Sequence, residues 1–179
     1  MNSLIKTVLV TALSLIALNA NAWEPDNKDK KELSVAKAII EAKEKDGDLA
    51  GWFDTAAAYA VFPRVGKAGI GIGGARGKGI VIKNDTTIGF VTLTQLSIGL
   101  QLGGQVYSEF IFFKDETALD DFKRGNYELG AQVSAVAVNA GASLDANYNK
   151  GVAVFTIAEG GLMYEASVGG QKFKYKDKK

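Results

Sequence analysis

Residues 67 to 83 read KAGIGIGGARGKGIVIK, with glycine at 69, 71 and 73 and again at 77 and 79. Alternation is the period of a β-strand, whose successive side chains point to opposite faces. One face of this stretch carries Ile70 and Ile72, and the other carries no side chains. Glycine weakens a strand, so a run of it marks a sharp bend or a close approach to the main chain. The segment is therefore expected to form two arms, Lys67 to Gly73 and Lys78 to Lys83, of a hairpin around Gly74-Ala75-Arg76-Gly77.

The flanking sequence continues as strands. Asn84-Asp85 reads as a turn and Thr86 to Leu93 as the next strand. Leu96, Ile98, Leu100 and Leu102 alternate with Ser97, Gly99, Gln101 and Gly103, the pattern of a half-buried strand. Tyr107 to Phe113 is continuously apolar and belongs deeper in the core. Further strands are expected at Glu128 to Asn139, Gly151 to Ala158, Leu162 to Val168 and Lys172 to Lys176. Tyr59 to Phe62 has strand composition, and Pro63 is expected to stop it.

Helices are few. Glu32 to Lys45 is amphipathic, with Leu33, Ala36 and Ile40 on one stripe and Val35 and Ile39 beside it, and Gly47 follows its end. A short helix is expected over Leu49 to Ala57. Another runs from Glu116 to Arg124, capped by Asp115 and closed by Gly125, with Leu119 and Phe122 inward. Together these elements predict an α+β fold: a predominantly antiparallel, strongly curved or partly closed β-sheet with a few packed helices.

The chain has 179 residues. Its first 22 read as an export signal: Lys6 is a short basic start, Val8 to Leu18 an apolar stretch, and Ala20-Asn21-Ala22 a cleavage site. Cleavage after Ala22 predicts a periplasmic or secreted product. Trp23 to Lys31 reads as a flexible leader and residues 32–179 as one domain, large enough to bury roughly 70% of its unfolded surface. No cysteine lies near the cleavage site, which excludes a lipid-modified lipoprotein. Net charge is +1, and loss of Lys6 takes it to zero, so nothing draws the whole molecule to nucleic acid.

Histidine and cysteine are absent. The usual imidazole base, thiolate nucleophile and zinc ligands are therefore missing. A non-catalytic protein without cofactor or metal is expected. A hydrolase or transferase would need Glu109, Asp115, Glu159 or Tyr164 gathered in one cleft. Residues 69 to 74 satisfy G-x-G-x-x-G, but the residues that follow read as turn and strand rather than the helix a dinucleotide needs.

Arg64, Lys67, Arg76 and Lys78 gather around the glycine stretch. Two uses stay open for them: solubilising an apolar hairpin, or holding lipid phosphates at an anionic surface. Lys172, Lys174 and Lys176 alternate with Phe173 and Tyr175, the pattern of a guarded edge strand. The charge-balanced helix from Glu32 suits packing on the sheet better than lying on a membrane.

Three stretches carry a resemblance to a known family. They are AVFPRVGKAGIGIGGARGKGIVI (residues 60–82), SIGLQLGGQVYSEFIFF (residues 97–113) and EGGLMYEASVGG (residues 159–170). In order and spacing the chain resembles the SYLF, or Ysc84-type, domain. That resemblance implies a lipid-binding module. Eukaryotic members bind phosphoinositides, and some bind actin beside an SH3 domain. This chain differs in its export signal, its lack of an SH3 domain and its charge-balanced helix, so those ligands do not carry across.

The resulting expectation is an exported bacterial cell-envelope protein that binds phospholipid or a lipid-like ligand. Gly69, Gly71, Gly73, Arg76 and Lys78 are the expected contact region. The partners expected are a lipid or membrane surface and no nucleic acid. The alternative is a structural envelope component whose glycine strands pack against a partner protein. Sequence leaves the oligomeric state open.

Overall fold

A computed structural model describes residues 23–125, 128–129, 136–137 and 148–179, with main chain only at 99–101, 128–129, 136–137 and 160–169. The export segment and most of the expected strand at 128–139 lie outside the described residues. In chain order the elements are α1 (Lys30–Lys45), α2 (Leu49–Thr55), β1 (Ala58–Lys83), β2 (Thr86–Phe113), α3 (Glu116–Lys123), β3 (Glu128–Leu129), β4 (Val136–Ala137) and β5 (Val152–Asp177).

The expected short strands fuse into three long ones. The hairpin around residues 74 to 77 does not form, because β1 runs unbroken through it and Arg76 lies mid-strand, paired with Thr94. The true hairpin turn is Asn84-Asp85, where both residues take positive φ (47° and 54°), the geometry of a type I′ turn. Pro63 does not stop the strand either. β1 is an edge strand, and a register shift between Phe62 and Val65 absorbs the missing N–H.

β1 and β5 have 26 residues each and β2 has 28. A straight strand of that length would span roughly 85 Å, about twice the width of a domain this size. The ribbon must therefore fold over, and its glycines show where. A Cβ on Gly77 would lie 2.7 Å from Val65 Cγ2, and one on Gly79 would overlap the Val61 carbonyl and lie 2.9 Å from the Phe62 ring. The beginning of β1 thus crosses its own end. β2 and β5 pair in register along the ribbon and bend with it, giving the order β1-β2-β5-β3, with β4 parallel to β5. The sheet is strongly curved but not closed.

Two cores follow. Phe62, Val65, Val81, Leu93, Ile111, Phe113 and Phe173 fill the space inside the fold with Leu119 and Phe122 of α3. On the other face, Val61, Ile80, Ile82, Phe110, Phe112 and Phe155 pack against α1 and α2. α1 buries Val35, Ala38 and Ala42, whereas Ile40 is exposed. Its inward stripe is rotated from the expected one and places the small Ala38 and Ala42 beside Val35 on the buried side.

Residues 23–31 do not hang free. The Trp23 indole N–H donates to the Thr87 hydroxyl (3.2 Å), and the Asp26 N–H donates to Glu32 (2.7 Å). Glu32 is buried and pairs with Lys178 at 2.7 Å, tying leader, first helix and C-terminus together.

Candidate functional site

The bend of the ribbon lies between residues 68 and 74 of β1. Gly71 takes φ +70°, and the β1–β2 register shifts between Ile70 and Ile72. Across the pair, Ile70 faces Leu102 and Ile72 faces Ile98, while Gly74 faces Leu96. Directly opposed residues of an antiparallel pair share a face with their Cβ atoms about 5 Å apart. These side chains are therefore neighbours, and they point into solvent: Ile70 is 80% exposed, Ile72 69%, Leu96 72%, Ile98 70% and Leu102 59%.

The positions turned inward at the same level are Gly73, Ala75 and Ser97, all buried. Leu96, Ile98 and Leu102 were expected to have an inside and an outside, with the leucines and isoleucine in. The bend reverses this. Glycine, alanine and serine take the inward positions there, and the bulky apolar side chains go out. A contiguous exposed apolar patch of this kind marks an interaction surface.

On the flank of the bend is an open cleft of about 750 Å³. Arg64, Lys67 and Arg76 line it from β1 and Glu159 from β5, with the main chain of Gly66, Gly74 and Gly104 between them. A Cβ on Gly71 of the glycine run, or on Gly66 at the cleft, would meet nothing within 4 Å, so no side chain of the protein fills those two positions. The glycine run thus serves two ends. Gly77 and Gly79 admit the crossing strand, whereas Gly71 permits the bend and stays open.

The expected contact residues are partly brought together. Gly69 is half-buried, Gly71 exposed and Gly73 buried at the bend, and Arg76 stands exposed at the cleft. Lys78 is exposed but lines a separate groove of about 280 Å³ with Lys30 and Lys31 of α1. The exposed leucines and isoleucine of β2 were missed as site residues. Their signal was the glycine spacing at 99, 103 and 104, which matches that of β1.

The carboxylates do not share one cleft. Glu109 is buried in the inner core, where its Oε2 accepts from Gln171 Nε2 at 2.8 Å. Its Oε1 is buried without a partner, and burial pushes the carboxyl up to about 7. Asp115 accepts from the Ala118 N–H as the cap of α3. Glu159 is exposed at the cleft and accepts from the buried Ser108 hydroxyl. The Tyr164 side chain lies outside the described residues. No group of three or more metal-ligating side chains occurs among the described residues.

Residues 94–179 match the Ysc84 family, described as "Las17-binding protein actin regulator". The chain is a SYLF-family member. Over 122 residues it is 30% identical to beta cell expansion factor A of Aeromonas veronii, which covers 68% of this chain and 46% of that relative. The SYLF chain thus spans about half the length of the curated protein it matches. The family match includes the apolar side of the bend on β2 and Glu159 on β5. The basic residues on β1 lie ahead of it.

Proposed function

We propose that this SYLF-family chain is a non-catalytic lipid-binding protein of the bacterial envelope that docks on membranes with its bend. The reversed patterning of the bend carries the reading: Ile70, Ile72, Leu96, Ile98 and Leu102 face solvent while glycine, alanine and serine face in. Burying one such side chain is worth about 1.5–3 kcal/mol, so even partial insertion of the group offsets the loss of freedom on docking. Arg64, Lys67 and Arg76 stand beside the bend, where each basic residue near an anionic surface adds about 1 kcal/mol. The export signal read from residues 1–22 supports a periplasmic or secreted location.

Vesicle co-sedimentation of the full chain, as its cells process it, tests the proposal. Association with phospholipid vesicles at low salt is expected. No association with either zwitterionic or anionic vesicles would overturn it. A dominant protein adduct on crosslinking at the bend in intact cells would instead favour a partner chain on the same surface.

A further inference from the structure

A cleft that held a bare anion would have no use for a carboxylate, yet Glu159 lines the same cleft as Arg64, Lys67 and Arg76. Its position is built. The Ser108 side chain that donates to Glu159 Oε1 is buried, and its hydroxyl also lies 3.0 Å from the Pro63 carbonyl, where β1 bulges. Among the described residues the second Glu159 oxygen has no protein partner. Three cations and one acceptor thus face a common space beside an apolar surface.

Resting on the membrane reading above, we infer that the cleft takes the headgroup of a phosphoethanolamine-type lipid. The phosphodiester meets the Arg64, Lys67 and Arg76 side, and the primary ammonium donates to Glu159. Guanidinium and ammonium groups are the ordinary partners of phosphate, and a primary ammonium carries three N–H donors that a carboxylate can accept. A choline headgroup has no such donor. Quaternary ammonium is recognised by aromatic faces, and among the described residues no aromatic ring lines the cleft. A purely anionic headgroup would set its charge against Glu159. The exposed bend at the mouth of the cleft places acyl chains beside Ile70 and Leu102, which is why a lipid rather than a free phosphoester is the ligand.

The test compares vesicles of phosphatidylcholine alone with vesicles containing phosphatidylethanolamine or phosphatidylglycerol. The full chain should bind the phosphatidylethanolamine vesicles about two- to fivefold more tightly than phosphatidylcholine alone, the worth of a solvent-exposed ion pair. Stepwise N-methylation of the amine should remove that preference. Glu159→Gln should also abolish it while leaving phosphatidylglycerol binding undiminished, and Arg76→Gln should weaken binding to both. Equal binding of ethanolamine and choline lipids, or a preference that survives Glu159→Gln, overturns the headgroup assignment and leaves membrane docking standing. No sedimentation with any of the three would remove both.

Discussion

Val61 and Gly79 belong to the same strand, yet they touch: the Val61 carbonyl occupies the place where a side chain on Gly79 would begin. Eighteen positions of chain separate them, and they meet because β1 doubles back over itself. The contact holds the two halves of the ribbon at a spacing that no larger residue permits.

Gly79→Ala should therefore destabilise the protein by about 1–3 kcal/mol, the usual cost of overpacking a tight interior. Gly66→Ala, on the same strand, meets open space and should change stability by less than about 0.5 kcal/mol. Urea unfolding midpoints of the two variants decide the matter. Equal midpoints would mean that the crossing is looser than described.

Glu109 joins the halves from inside, through Gln171 at the far end of β5. Burial raises its carboxyl to about 7, against which the Gln171 hydrogen bond acts in the lowering direction. A folded-state value above the unfolded one means that stability is fully present below about pH 4.5. It is lost as pH rises through about 7, by on the order of 3 kcal/mol. Glu109→Gln should flatten that decline between about pH 5 and 8. Chemical denaturation at a series of pH values measures it, and an unchanged slope would refute the assignment.

Glu32 works in the opposite direction. Burial raises its carboxyl, but the Asp26 N–H and the Lys178 ammonium outweigh burial and hold it below the ordinary carboxylate range. Its contribution is present above the unfolded value and is lost as pH falls through the lowered folded one. Lys178→Ala should cost about 1–3 kcal/mol at neutral pH, since it leaves a buried carboxylate without its cation. The variant's acid unfolding should also begin at a higher pH, which circular dichroism can follow.

At the bend, stability and binding should separate. Ile72→Ser and Leu96→Ser remove side chains that touch mostly water, so each should shift stability by no more than about 0.5 kcal/mol. Vesicle binding should fall by about thirtyfold for the pair if each loses roughly 1 kcal/mol of burial in lipid. Loss of folding together with binding would show that the exposed side chains support the ribbon instead.

Local signals in the sequence were sufficient for the helices at Lys30–Lys45, Leu49–Thr55 and Glu116–Lys123, for the Asn84-Asp85 turn and for the class. The cap at Asp115, the Asn84-Asp85 turn and the antiparallel strand periods are short-range features, because propensity and turn chemistry act within a few residues. The strand ends inside β1 were misjudged because glycine and proline look alike as breakers whether they end a strand or bend it. Telling the two apart requires knowing what lies across from them. Arg76, expected at a hairpin tip, is no turn residue: it stands mid-strand opposite Thr94 and lines the cleft.

By itself the sequence determined an α+β chain with long runs of β-forming residues, a glycine-marked segment and basic residues around it. Tertiary structure alone decided which glycines meet a neighbouring strand and which stay open, and which face of β2 is wet. Period-two alternation says that two faces differ, not which one finds a partner. That choice was made when the ribbon folded over at Gly71, bringing Val61 onto Gly79 and leaving Leu96 and Ile98 exposed.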